Sequence, residues 1–181
     1  DKLGLNRIIV ISGANSELKA NDLKPEILNK ITRQKVLLSQ LESPLSELVS
    51  IFKAAKENNF FTILNPAPAR KLDLEFIKLI DLLIPNQFEA EFLTGIKVTD
   101  SDSAITAGKE LVSQGVKSVL ITLGEEGSVL VTHEGIELFQ SFKVKAVDTT
   151  AAGDAFCGAI AVALSEEFDL KTAIRFASAA G

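Results

Sequence analysis

The sequence predicts an α/β fold in three layers, a sheet of mostly parallel strands flanked by helices, with a β-hairpin region near its end. Three observations carry that prediction. Short aliphatic runs alternate with helical patterns along most of the chain, as right-handed β-α-β crossovers require. Some runs, such as Val36-Leu37-Leu38, are apolar without interruption, as strands covered on both faces are. Polar clusters follow the runs, at the carboxyl ends of strands, where open α/β sheets bind ligands.

Arg7 to Ile11 reads as a strand closed by the turn Ser12-Gly13-Ala14-Asn15, and Lys24 to Ile31 as a short helix opened by Pro25. The strand at Val36 to Leu38 ends in polar Gln40 and Glu42. Pro44 then starts a helix with Leu45, Leu48, Val49, Phe52 and Ala55 on one side, and Glu47, Ser50, Lys53 and Lys56 on the other. The unit recurs. Phe60 to Leu64 is a strand running into Asn65-Pro66-Ala67-Pro68-Ala69-Arg70, and Leu74 to Leu79 a helix. Leu82 to Ile84 is a strand ending in Pro85-Asn86, and Gln87 to Leu93 a helix closed by Gly95. Ala104, Ala107, Gly108, Leu111 and Val112 form a helical stripe before the strand Ser118 to Thr122. Beyond Gly124 the rhythm changes: Ser128 to Thr132 and Ile136 to Phe139 read as a hairpin, with Val144 to Val147 a further strand. Helices from Asp154 and from about Asp169 complete the 181 residues.

With 46% hydrophobic and 24% charged residues, the composition is that of one soluble globular domain, residues 1–181. A net charge of -5 without a Lys/Arg cluster argues against nucleic acid as a partner. The single cysteine, Cys157, excludes an internal disulfide and fits a reducing compartment. No signal peptide and no bilayer-length apolar run is visible, so a cytoplasmic protein without membrane contact is expected. The chain opens on Asp1 and closes on Ala177-Ser178-Ala179-Ala180-Gly181, within a helical pattern, and both ends read as cuts in a longer chain.

The most informative stretch is Asp148-Thr149-Thr150-Ala151-Ala152-Gly153-Asp154-Ala155-Phe156. Small side chains at Ala151, Ala152 and Gly153 let a ligand approach the backbone, and the first amides of the following helix have no internal partner. Such a place holds an anion, phosphate above all. Asp154 puts a carboxylate beside it, which suits a base: a hydroxyl held against Asp154 could attack a phosphoryl group whose growing charge falls on the loop amides. The plainer alternative is a turn at Thr149 or Thr150 with Asp154 in the first turn of an ordinary helix. Glu42 is placed to bind a polyol or, alternatively, to cap the helix at Pro44. Asn86 and Glu89, three apart, can face one point and organise the water on Mg²⁺, or form a capping box. Thr122-Leu123-Gly124-Glu125-Glu126-Gly127 has two glycines that let the backbone meet a nucleotide, or make a simple turn. His133 falls at a hairpin tip, where solvation is expected, and no His/Cys spacing suggests zinc.

In order and spacing, several of these motifs together resemble the ribokinase family of ATP-dependent sugar kinases. They are Gly13-Ala14-Asn15, Gln40-Leu41-Glu42-Ser43-Pro44, the Asn65 to Arg70 run, Pro85-Asn86 with Glu89-Ala90-Glu91, Leu93-Thr94-Gly95, Leu120 to Gly124, and Asp148 to Asp154. The resemblance implies a ribokinase-like fold and transfer of phosphate from ATP to a sugar, with D-ribose favoured over fructose. It implies Asp154 as base, with amides of Ala151, Ala152, Gly153 and Asp154 as the anion hole. Glu42 and Asp154 would bind the sugar. Asn86 and Glu89 would organise Mg²⁺ through water; Thr122 to Gly127, with Asn86 and Gly153, would line the nucleotide. Asp148 and the carbonyl of Thr150 would help hold K⁺. Members of this family also carry an N-terminal substrate and lid portion, which makes a homodimer, and a C-terminal stretch completing the nucleotide site. Residues 1–181 would then be the nucleotide-binding core, and a non-catalytic nucleotide- or sugar-binding module is the alternative from another class. Gln87 and Glu125-Glu126 depart modestly from the family pattern.

Overall fold

Six strands lie in one sheet in sequence order: β1 (Val36–Ser39), β2 (Phe61–Leu64), β3 (Leu82–Leu83), β4 (Ser118–Thr122), β5 (Ser128–Thr132) and β6 (Ile136–Phe139). The first four are parallel, with Ile63 beside Leu82 and Leu82 beside Ser118, whereas β4, β5 and β6 are antiparallel. This computed structural model describes residues 12–22, 33–144 and 150–181. The strand expected at Arg7 to Ile11, the helix at Lys24 to Ile31 and residues 145–147 of the last expected strand lie outside them. Val144 is described and carries no strand assignment.

The helices are α1 (Leu45–Glu57), α2 (Leu74–Ile77), α3 (Gln87–Thr94), α4 (Ser101–Ser113), α5 (Ala152–Ser165) and α6 (Leu170–Ser178). Side chains alternate across a strand, so each strand serves two cores. Leu64, Leu83, Val119, Ile121, Val129 and Val131 pack with α1 to α4 on one face. Ile63, Leu82, Ile84, Leu120 and Leu130 pack with α5 and α6 on the other. Parallel neighbours in sequence order, each joined by a right-handed crossover, place α1 to α4 on one side. The other side is left for the helices after the hairpin, and three layers result. Phe52 of α1 and Phe76 of α2 meet edge to face, 5.0 Å between ring centres. Gly108 brings α4 onto the sheet: a Cβ there would lie 2.6 Å from Val131 Cγ2.

Beyond the amino end of β3, Asp81 is buried and fully paired. It accepts from Lys56 Nζ at 2.6 Å, from the Thr62 amide and hydroxyl at 2.9 Å each, and from Lys117 Nζ at 2.7 Å. Burial opposes its ionisation, but Lys117, Lys56 and Thr62 outweigh burial and hold the carboxyl below its usual range. This pin ties β2, β3 and β4 together at the end of the sheet opposite the polar clusters. Among the described residues no helix is long and apolar enough to cross a membrane.

Candidate active site

α5 begins two residues before Asp154, at Ala152, and its N-cap is Ala151, in the left-handed conformation with φ 62° and no side-chain cap. Alanine bears a cost of roughly 1–2 kcal/mol in that conformation, strain of the kind that collects at functional positions. The first internal bond of α5 runs from the Ala155 amide to the Ala151 carbonyl at 2.9 Å, so the amides of Ala152, Gly153 and Asp154 precede it. Gly153 and Asp154 are exposed, and a Cβ on Gly153 would meet nothing within 4 Å. The loop therefore presents backbone donors to open space beside a carboxylate.

That carboxylate is not isolated. Asp154 Oδ1 accepts from Gln40 Nε2 at 2.9 Å, and the same nitrogen donates to Asn65 Oδ1 at 3.0 Å. Asn65 Nδ2 in turn donates to the Ile84 carbonyl at 2.8 Å and, at 3.5 Å, to Glu89 Oε2. Glu89 and Asn86 complete the chain as a capping box on α3: the Asn86 amide donates to Glu89 Oε2 and the Glu89 amide to Asn86 Oδ1, both at 2.9 Å. The capping alternative is thus realised for this pair, with the bonds from Asn86 and Asn65 both on Glu89 Oε2. Residues following β1, β2 and β3 are linked in one polar row that ends at α5. The sequence reading gave Gln40 and Asn65 no chemical role of their own, although they stand in the polar clusters after β1 and β2 and in two of the motifs that carry the family resemblance.

Glu89 is buried, and burial pushes its carboxyl above the usual range against the bonds from Asn86 and Asn65. A raised value means that the ionised form costs the fold energy at neutral pH and none below the ordinary value of 4.5. Glu89→Gln keeps the acceptor for the Asn86 amide and removes the charge, so it should melt no lower than the parent at pH 8, with any gain gone by about pH 4. Thermal melts at the two pH values check this; a clear loss at pH 8 would show that the charge itself holds α3 in place.

The Thr122 to Gly127 segment lies next to the box. Asn86 and Thr122 form a parallel bridge, and the Thr122 amide donates to the Pro85 carbonyl at 3.0 Å. Gly124 to Glu126 is a single 3-10 turn between β4 and β5. Gly127 follows with φ 94°, and a Cβ there would lie 1.9 Å from the Phe139 carbonyl oxygen, so only glycine fits. Beside the loop is a cavity of about 580 Å³, lined among others by Thr122, Gly124, Gly127, Ala152, Gly153 and Phe156. Its size is that of a cofactor or substrate pocket. Glu125 is exposed and lies on the cavity wall, Glu126 is exposed, and Leu123 is buried in the core facing α1 to α4.

Glu42 is exposed just beyond β1 and accepts from Asn15 Nδ2 at 3.1 Å, which brings the Gly13-Ala14-Asn15 segment to the same end of the sheet. The N-cap of α1 is Pro44, so Glu42 is not its cap. Thr150 precedes the left-handed Ala151, while Asp148 lies outside the described residues. His133 is exposed. Cys157, one turn after Asp154, is buried and its thiol is pushed up to about 12, by burial first and then by the charges of Asp154 and Glu89. It is no nucleophile at neutral pH. Among the described residues no group of three or more His, Cys, Asp and Glu could hold a metal ion.

The family model described as pfkB family carbohydrate kinase matches residues 1–181. The ribokinase of Haemophilus influenzae is 43% identical over 176 residues, 97% of this chain and 57% of that protein. The ribokinase of Staphylococcus aureus is 41% identical over 181 residues, covering 98% of this chain and 58% of the relative. The structure of Arabidopsis thaliana ribokinase complexed with ribose and ATP superposes with a TM-score of 0.86 at 31% identity, over 97% of this chain and 57% of that one. The chain spans somewhat over half the length of these relatives. With a family match from end to end and a sheet of the same architecture, the chain belongs to the pfkB family of carbohydrate kinases.

Proposed function

We propose that the full-length protein transfers the γ-phosphoryl group of ATP to the primary hydroxyl of D-ribose, giving D-ribose 5-phosphate and ADP. One observation supports this most: Ala152 and Gly153, whose amides precede the first internal bond of α5, line a cavity of about 580 Å³ together with Thr122, Gly124, Glu125 and Gly127, and the carboxylate of Asp154 follows them directly in the chain. A nucleotide in that cavity would direct its terminal phosphate at the amides, and a sugar hydroxyl against Asp154 would face the phosphorus from the other side. The hydroxyl oxygen bonds to the phosphorus, the bond to the ADP oxygen breaks with its electron pair leaving on ADP, and the hydroxyl proton passes to Asp154. A carboxylate is far too weak a base to ionise a sugar hydroxyl beforehand. In a loose transition state it need not, because the proton leaves late and Asp154 chiefly orients the nucleophile. The backbone donors meet the charge that develops on the phosphoryl oxygens.

The residues present fit Mg²⁺ held mostly by phosphate and water, an arrangement this ion accepts readily. Glu89 and Asn86 would orient that water, and the ion would offset the negative charge of the phosphates. Glu89→Gln should then lower turnover about 10- to 100-fold, as loss of an outer-sphere partner does. Asp148 and the Thr150 carbonyl would hold K⁺ next to the anion hole, and Glu42 the sugar hydroxyls. We also place the protein in the cytoplasm and expect a homodimer of the full-length chain.

ADP release by the full-length protein with D-ribose, 2-deoxyribose and fructose tests the substrate. The highest kcat/KM is expected with D-ribose; a preference for fructose would overturn the sugar assignment while leaving the phosphotransfer intact.

A further inference from the structure

Gln40 donates to the Asp154 carboxylate, and it does so with a side chain already fixed at its other contact. Both hydrogens of Nε2 are used, one on Asp154 and one on Asn65. Turning the amide over would set Oε1 against two oxygen acceptors, so the surroundings select one orientation. Asn65 is held in its turn by the Ile84 carbonyl at the end of β3, a rigid anchor. The carboxylate at the exposed start of α5 is thereby referred to the frame of the parallel sheet. The start of α5 has no side-chain cap and begins from a left-handed alanine, so the bridge from Gln40 supplies a side-chain tether there.

We propose that Gln40 is a positioning residue, whose amide bridge between Asp154 and Asn65 fixes the carboxylate of the base relative to the strand ends that carry the Asn86–Glu89 box. This rests on Asp154 being the base. A base that swings loses the alignment on which an in-line transfer depends, and an error of about 1 Å can cost on the order of 100-fold. The bridge is expected to act on the rate more than on nucleotide affinity, since neither Gln40 nor Asp154 lines the cavity.

The test uses the full-length protein. Gln40→Met keeps the length of the side chain and removes both donors; Gln40→Ala is a second donor-free variant. Both should lower kcat about 10- to 100-fold with KM for sugar and ATP within about twofold of the parent and melting unchanged. In an Asp154→Asn background, Gln40→Met should change the residual rate by less than about twofold, because the group it positions is gone. Parent-like kcat in both single variants, or the same fold-loss in the Asp154→Asn background, would overturn the proposal. If Asp154→Asn alone kept the parent rate, the base assignment would fall first and the proposal with it. An inactive Asp154→Asn beside fully active Gln40 variants would remove the proposal alone.

Discussion

Asp154→Asn should lower sugar-dependent turnover by about 10²- to 10⁴-fold, the usual contribution of a general base. The change is nearly isosteric, and the Oδ1 that accepts from Gln40 at 2.9 Å is retained as an amide oxygen, so the start of α5 should keep its place. The proposed anion hole would be made of backbone amides, which the substitution leaves in place. Calorimetry should therefore find ATP binding little changed while ADP release collapses. A variant that binds ATP poorly and turns over the bound fraction at the parent rate would place Asp154 in nucleotide binding instead.

Gly127→Ala carries the largest expected cost in stability. The residue has φ 94°, and the new Cβ would lie 1.9 Å from the Phe139 carbonyl oxygen, an overlap with backbone that no rotamer relieves. The loop must open, and with it the pairing of Ser128 with Thr122 and Phe139 that starts the hairpin. A loss of about 3 kcal/mol is expected, which for a domain of this size lowers the melting temperature by roughly 6–12 °C. Nucleotide affinity should fall as well, because Gly127 lines the cavity. Gly135→Ala is the control: a Cβ there meets nothing within 4 Å, and its melting should match the parent's. Equal melting of the two variants would mean that the loop yields at little cost.

Much of this architecture is written locally. The hairpin strands fall at Ser128–Thr132 and Ile136–Phe139, as the two apolar runs separated by His133-Glu134-Gly135 foretell. The Ser118 strand and the helix closed by Gly95 follow equally local signals, Gly95 taking the left-handed C-cap. Other boundaries moved where a local signal was silent. α4 starts at Ser101 on a box between Asp100 and Ser103, ahead of the apolar stripe that announced it from Ala104. α5 starts at Ala152 because Ala151 turns left-handed, which an alanine gives no reason to expect. The 3-10 turns at Gly13–Glu17 and Ala20–Asp22 show no hydrophobic period and were visible only as a turn at Gly13 or not at all.

The site divides along the same line. Asp154, Asn86, Glu89 and the Gly124 to Gly127 loop announce themselves by residue type at strand ends. Gln40 shows its place at a strand end but not its task, because its partner is 114 positions away and is met only when α5 returns across the end of β1. The division of helices between the two sheet faces, which brings α5 to that end, follows from strand order and not from any single segment.

The most direct measurement is the yield of ADP and D-ribose 5-phosphate from the full-length protein given D-ribose, Mg²⁺-ATP and K⁺, with Asp154→Asn run in parallel. Equal amounts of the two products from the parent, and loss of both with Asp154→Asn, are expected. ADP formed without phosphorylated sugar, or product formed at the parent rate by Asp154→Asn, would contradict the assignment of Asp154 as the base that delivers a sugar hydroxyl to ATP.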